Sequence, residues 1–388
     1  MRIVHVITRL ILGGAQENTL YNCEDLVERH GDEVTLITGP AEGPEGDLID
    51  RARRNIPDVV VMPELKRAVD PWTDRVCYRR LKEEIAKRKP AVVHTHSSKA
   101  GILGRAAAWK LRTPAVIHTI HGLPFHPFEK WWRNRLYIWL ERWAAKRCHK
   151  IITVADAMIE QAVAKRIAPR EKFVTIPSGM EVEPFLNPPR EPAEVRRELG
   201  IPADAVVVAK VARLFEFKGH DDVLDVAPTL MKSRPTVRLL FIGGGIWRDR
   251  LEAKARDLGI GDRVIFAGLV PSDRIPELLH ASDIIVHASY REGLARVLPQ
   301  ALISGKPVVS YNVDGAREVV LPNVTGFLAP AGDKMKLAEG LSTLLDKPDL
   351  RNEFGKTGRN MFTDVFRHER MTEAIRKVYE DVLAGEVR

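Results

Sequence analysis

Several features are scarce or missing in this sequence, and each absence excludes something. There are three cysteines, Cys23, Cys77 and Cys148, with no CxxC pair among them. A disulfide framework is therefore not indicated, and a reducing compartment is the simplest setting. No run approaches the 18 or more apolar residues of a membrane-spanning helix. The first ten residues, MRIVHVITRL, start positively, but His5, Thr8 and Arg9 break the apolar stretch and no small-residue cleavage pattern follows. A buried strand fits that segment better than a signal peptide, and the expected location is the cytoplasm. No short-period repeat, GxGxxG fingerprint or recognised nucleic-acid module is present. With 45% hydrophobic and 29% charged residues, the chain is an ordinary globular protein and not a disordered scaffold. Its 388 residues exceed one compact domain; at about 150 residues per domain the expectation is two to three.

The net charge of +8 is unevenly spread. Residues 1–176 hold 30 Lys and Arg against 21 Asp and Glu, a balance of +9, whereas residues 177–388 hold 30 against 31. Such asymmetry points to an anionic partner such as nucleic acid, an acidic membrane surface or a phosphorylated substrate, or else to a solvated face.

Short β-branched runs alternate with longer helix-like stretches. Strands are expected at 3–7, 33–37, 59–62, 91–94, 115–119, 150–154 and 173–176. A second series follows at 206–211, 237–242, 264–267, 284–288 and 308–310. Apolar, non-alternating strands separated by helices imply parallel sheets covered on both faces. The fold class is thus α/β, with two Rossmann-like doubly wound domains facing across a cleft. The first domain is expected at 1–176. A proline-rich linker with one short helix around 194–199 is expected at 177–204, a second domain at 205–366, and a C-terminal helix, crossing back to the first domain, at 367–388. Ligands of such folds bind outside the carboxyl ends of the strands.

The motifs lie there. Gly13 and Gly14 follow the first strand; paired glycines allow close backbone approach to a phosphate or sugar, or serve packing alone. Arg213 and Lys218 follow the strand at 206–211, with Lys218-Gly219 leading into a helix, a cation pair suited to a diphosphate. Gly243, Gly244 and Gly245 follow the next strand. Glu292 stands at the mouth of a helix expected at 295–304, and Gln300 falls about 10–12 Å further along at about 1.5 Å per residue. That span can bridge a nucleotide sugar, with the N–H groups of Gly293 and Leu294 on the phosphate. Pro299 removes one helical N–H and is expected to kink the helix.

Together, Arg213, Lys218-Gly219, the Gly243–Gly245 loop and Ser289-x-x-Glu292-Gly293 resemble the donor site of glycosyltransferase family 4. Gly13-Gly14-Ala15, the run HTHSSK at 94–99 and HTIHG at 118–122 resemble its N-terminal domain. The resemblance covers nearly the whole chain in order. It implies a GT-B fold and a retaining, metal-independent transferase using a nucleotide sugar, with a UDP-sugar expected, and no cofactor. It further implies that Arg213 and Lys218 hold the leaving diphosphate and that Glu292 binds donor hydroxyls. Gly13 and Gly14 would complete the site, and His121 would sit near the reacting centre. One position departs: the family's Glu-x7-Glu is Glu292-x7-Gln300 here. A Gln still donates and accepts hydrogen bonds, so nucleotide contact is retained while selectivity is open.

The histidines allow a rival reading. His94-x-His96 on a strand puts both rings on one face, and His118, His121 and His126 follow, so a metal site is conceivable. No carboxylate partner is evident nearby, and strand-end hydrogen bonding is the favoured role, with no metal expected.

Residues 123–150 carry seven Lys and Arg against two Glu and hold four of the seven Trp. Trp132, Leu136, Trp139, Leu140 and Trp143 recur at helical spacing. A basic helix with Trp on its apolar side suits a membrane interface; packing of that face into the core is the favoured alternative. The run from His94 into this helix is similar to family members that build bacterial surface polysaccharides and lipid-linked oligosaccharides. That similarity implies a glycan or polyprenyl-diphosphate-linked acceptor, contacts from Ser97, Lys99, Trp131 and Trp132, and an anionic membrane surface as a further partner, with no role for nucleic acid. The remaining alternatives are a nucleotide-sugar epimerase and a non-catalytic nucleotide-sugar-binding protein.

Overall fold

The computed structural model describes residues 1–41 and 46–385. The chain forms two compact units: Met1–Met180 with Val365–Arg388, and Glu181–Asp364.

Unit 1 is built on β1 (Arg2–Ile7), β2 (Glu33–Thr38), β3 (Asp58–Val61), β4 (Val92–His96), β5 (Ala115–Ile120), β6 (Lys150–Thr153) and β7 (Phe173–Thr175). All neighbours are parallel, in the order β3-β2-β1-β4-β5-β6-β7. Every residue of β4 and β5 is buried, including His94, Thr95 and His96 of β4 and His118 and Thr119 of β5. One face of the sheet packs Ile3, Leu36, Val92 and Ile117 against Met371, Ile375 and Tyr379 of the C-terminal helix His368–Leu383. That helix is fastened by Arg376 to Asp32 at 3.1 Å, and by His368 and Thr372, both to Asp25, at 2.8 and 2.9 Å.

Unit 2 is built on β8 (Val206–Val211), β9 (Val237–Ile242), β10 (Val264–Gly268), β11 (Ile284–His287), β12 (Val308–Tyr311) and β13 (Gly326–Ala329), in the order β10-β9-β8-β11-β12-β13 and again all parallel. β13 is an addition to the expected strands. It is four residues long, and a Cβ on its Gly326 would sit 1.8 Å from Val308 O, so glycine is required where the strand meets its neighbour.

The proline-rich stretch expected as a linker is not free chain beyond Met180. Residues 181–204 fold with unit 2 as helices Glu183–Leu186 and Pro192–Glu198. Arg196 anchors the second by donating to Ala281 O at 2.8 Å and pairing with Asp283 at 2.9 Å. Pro184 and Pro192 occupy first-turn positions, where no intrahelical N–H is needed. Those two prolines mark helix starts.

Strand order reverses at the β1/β4 pair in unit 1 and at the β8/β11 pair in unit 2. At such switch points the loops leaving the two strands diverge and open a crevice at their carboxyl ends. The loop after β1 carries Gly13-Gly14, the loop after β8 carries Arg213 and Lys218, and the loop after β11 carries Glu292.

Candidate active site

In unit 2 the loops after β8 and β11 are locked together by backbone. Gly219 has φ +68°, and a Cβ on it would lie 1.8 Å from Ala288 O. Tyr290 N donates to Phe217 O at 2.8 Å. Gly243, with φ +144°, lies equally close to the β8 loop, since its Cβ would meet Ala212 O at 2.1 Å. These contacts explain two of the sequence glycines by close approach. They set Lys218 beside Glu292, with Nζ to Oε1 at 2.5 Å.

Glu292 is also 3.7 Å from His287 Nε2, and its backbone N–H donates to Asp314 at 2.8 Å. Burial favours the neutral acid, but His287 and the Lys218 ammonium outweigh it and hold the carboxyl down at about 2. His287 itself is pushed down, chiefly by burial. Arg213 is exposed, with its guanidinium 5.5 Å from the Phe215 ring centroid. One ion pair and one exposed guanidinium thus stand at the switch point, as recognition of an anion demands.

The helix after Glu292 is shorter than expected. It spans Val297–Ile303, so residues 292–295 are irregular and the estimate of about 1.5 Å per residue does not connect Glu292 to Gln300. Pro299 is the third helical residue and therefore within the first turn, where N–H groups have no intrahelical partner; it does not kink the helix. Gln300 is half-buried, as are Gly293 and Leu294, and Gly293 O accepts from Gly315 N at 2.9 Å. Gly244 is half-buried, 3.1 Å from Leu269 at the position of its missing Cβ.

In unit 1, Gly13 caps helix Gly14–Glu28 with extended backbone, and its carbonyl accepts from Glu17 N at 2.9 Å. Ser97 and Lys99, expected on the acceptor side, both have partners within unit 1. Ser97 Oγ bonds Thr8 Oγ1 at 2.7 Å and so ties the loops after β1 and β4, while Lys99 is held by Asp74 and Ala68 O. The polar atoms of both residues serve the fold.

His121 follows β5 and joins a row of imidazoles. His5 Nδ1 lies 3.1 Å from His96 Nε2, and His96 Nδ1 lies 3.2 Å from His121 Nε2. His94 bonds Tyr379 at 2.6 Å and Thr119 at 2.7 Å, and His118 bonds Thr95 Oγ1 at 2.9 Å. Ring nitrogens of His5, His94 and His96 fall within 4.8 Å of one another, a spacing compatible with a metal ion. Both nitrogens of His94 and of His96 have hydrogen-bond partners, whereas His5 Nε2 is buried with none among the described residues. Burial pushes His5 down to about 3 and His94 and His96 well below the usual imidazole range, so all three rings are neutral. The sequence pattern singled out His94 and His96 but not His5, whose place opposite them follows from β1 pairing with β4.

The helix Trp131–Ala145 overturns the expectation that its Trp face packs inward. Trp131 is 72% exposed, Trp132 49%, Leu136 45% and Trp139 58%, while the buried residues are Glu141, Ala144 and Ala145. The cause is an ion pair: Arg105, fully buried, donates to Glu141 at 2.9 Å and to Gly101 O at 2.7 Å. That pair turns the small and acidic side of the helix toward the protein and leaves tryptophan and cations outside. Arg133 is exposed beside Trp132, its guanidinium 5.2 Å from the ring centroid.

Residues outside the sequence reading also belong to the unit 2 site: Lys210, His220, Asp222, His287 and Asp314. A lysine within the otherwise apolar strand VVVAKV was the one available signal for Lys210.

Two parallel sheets with site loops at both switch points define the GT-B architecture. Residues 12–184 match the model Glycosyltransferase Family 4, and residues 192–361 match Glycosyl transferases group 1. The chain is 27% identical over 388 residues to the UDP-Gal:alpha-D-GlcNAc-diphosphoundecaprenol alpha-1,3-galactosyltransferase of Escherichia coli, covering 99% of this chain and 98% of that one. It is 30% identical to the D-inositol 3-phosphate glycosyltransferase of Acidothermus cellulolyticus, over 77% of this chain and 69% of that one. Among solved structures, Anabaena HepE in complex with UDP-glucose has a TM-score of 0.81 at 21% identity, covering 98% of this chain and 100% of that one. The chain belongs to the GT-B glycosyltransferases of the family 4 type.

Proposed function

We propose that this glycosyltransferase moves a hexosyl group from a UDP-sugar to a polyprenyl-diphosphate-linked saccharide, with retention and without a metal ion, in the building of a cell-surface polysaccharide. The observation that carries the reading is the Lys218–Glu292 pair at the β8/β11 switch point with Arg213 nearby. The activity of the Escherichia coli relative, which spans nearly all of this chain, supports both the donor and the acceptor class.

In this mechanism Lys218 and Arg213 bind the diphosphate and stabilise the charge that grows on it as the glycosidic bond breaks, the work a divalent ion performs elsewhere. Lys218 exchanges its carboxylate partner for phosphate, and Glu292 turns to donor hydroxyls. Glu292, engaged with donor hydroxyls, does not take the acceptor's proton. That proton goes to a phosphate oxygen of the leaving diphosphate as the acceptor attacks from the same face, so no enzymic nucleophile is required. Backbone at Gly243, Gly244, Gly293 and Leu294 lines the donor, Gln300 bonds the ribose, Gly13 and Gly14 close on the diphosphate, and His121 orients the sugar or the acceptor.

No helix among the described residues is long and apolar enough to cross a membrane. The exposed Trp131, Trp132 and Trp139, with the cations on their helix, form a basic aromatic face suited to the anionic cytoplasmic surface where such an acceptor resides. A panel of nucleotide sugars incubated with the enzyme and a membrane lipid extract, read by mass spectrometry, tests the function. A hexose added to a lipid-linked saccharide at the expense of a UDP-sugar is expected, with the anomeric configuration retained. Consumption of no nucleotide sugar, or interconversion without an acceptor, would sink it.

A further inference from the structure

The proposed donor chemistry leaves one group unexplained. β8 is apolar except for Lys210, whose side chain is fully buried and whose Nζ has no hydrogen-bond partner among the described residues. Next to it, His220 opens the helix His220–Lys232; it too is buried, with neither ring nitrogen partnered, its ring packed edge-on to Phe241 at 5.1 Å. Ser289 Oγ, on the loop bound to Phe217–Gly219, is a further buried and unpartnered polar atom. Buried polar groups are normally paired, so a cluster like this calls for another occupant or a change of protonation.

The charged groups that act on Lys210 are Lys218, Glu292 and Asp222, and His220 and His287 in turn feel both lysines. Lys218 is engaged by Glu292. Asp222 is engaged by Tyr290 at 2.5 Å, Tyr311 at 2.8 Å and Lys334 at 3.6 Å. Both carboxylates favour the charged Lys210 from a distance but are bonded to other groups, and burial outweighs them and draws its ammonium down to about 7. A diphosphate beside Lys218 changes that balance, because new negative charge in a buried site favours the protonated amine.

We infer that Lys210 is a protonatable counter-charge of the donor site: it takes a proton from the buffer when a nucleoside diphosphate settles against Lys218, and returns it when the nucleotide leaves. The inference rests on the donor reading above and adds a proton to it. No covalent bond changes; one proton moves from solvent to Nζ and back.

The test is isothermal titration of the full chain with UDP at pH 8, in two buffers of different ionisation enthalpy. With Lys210 near 7 in the free protein, wild type should take up as much as about 0.9 proton per UDP. Lys210→Met, which suits an apolar strand, should still bind UDP, about tenfold more weakly, with no uptake. His220→Gln should keep the uptake. UDP binding without buffer dependence in wild type, or undiminished uptake in Lys210→Met, overturns the inference and leaves the donor reading standing. Loss of uptake in His220→Gln alone assigns the proton to the imidazole and also overturns it. Failure of UDP, ADP and GDP to bind wild type removes the donor reading and the inference together.

Discussion

The two cationic regions of this protein are built in opposite ways. In unit 1 the positive charge of helix Trp131–Ala145 lies outside among exposed tryptophans, while one buried ion pair, Arg105 with Glu141, sets the helix orientation. In unit 2 the cations sit at the ends of strands: Lys218 is half-buried and paired, and Lys210 is buried and unpaired. Exposed charge is screened by salt and acts over a surface. Buried charge is nearly immune to salt but sensitive to protonation and to whatever ligand enters. The first arrangement suits a broad anionic partner, the second a small anion bound at one point.

That contrast can be broken experimentally, and the largest effect should come from the buried pair of unit 1. Glu141→Ala strands Arg105 without its carboxylate, and chemical denaturation should show a loss of about 3–5 kcal/mol; a loss below about 1 kcal/mol would mean the helix does not depend on the pair. Next come the paired groups of unit 2. Lys218→Ala or Glu292→Ala should lower sugar transfer about 10²–10³-fold, or about 2.7–4 kcal/mol of transition-state stabilisation. Circular dichroism should stay unchanged, and near-normal turnover would remove both from the site.

Neutralising Arg133, Arg142 and Lys146 together should weaken sedimentation with anionic vesicles at low salt by about 1 kcal/mol per cation. The difference from wild type should vanish in high salt; equal binding at low salt returns these cations to a merely solvated face. The subtlest effect is a pH slope. Lys210 is held near 7 in the folded chain against an ordinary 10.5, so the unfolded chain binds more protons between those values and stability rises with pH there. The slope from this one group is about 1.4 kcal/mol per pH unit. Urea midpoints of wild type should therefore climb relative to Lys210→Met between pH 7 and 10, whereas parallel curves would show a lysine that is charged throughout.

The strands of unit 1 were readable from their β-branched apolar residues, whether buried throughout as β4 and β5 are or half-buried as β3 is. β13 was not, because it is four residues long and opens on a glycine that only the close approach to Val308 of β12 explains. The loop motifs were readable as residue types after strands. The helix after Glu292 was misjudged because helical propensity does not reveal that Glu292 N bonds Asp314 and Tyr290 N bonds Phe217 O, bonds that hold the loop out of the helix. The Trp face was misjudged because apolar periodicity says which residues share a side, and the Arg105–Glu141 pair decided which side turned inward.

The sequence by itself determined the two parallel-sheet series, the glycines that allow close approach after strands, and the placing of two cations and one acid, Arg213, Lys218 and Glu292, in loops that follow strands. These are local matters of period, volume and charge type. Only the tertiary structure decided that Lys210 is buried near that pair with no hydrogen-bond partner among the described residues, that His5 completes the row to His121, and that the tryptophans face outward. Each of those depends on which strands become neighbours and on how far each group stands from water, and desolvation is a property of position, not of residue type.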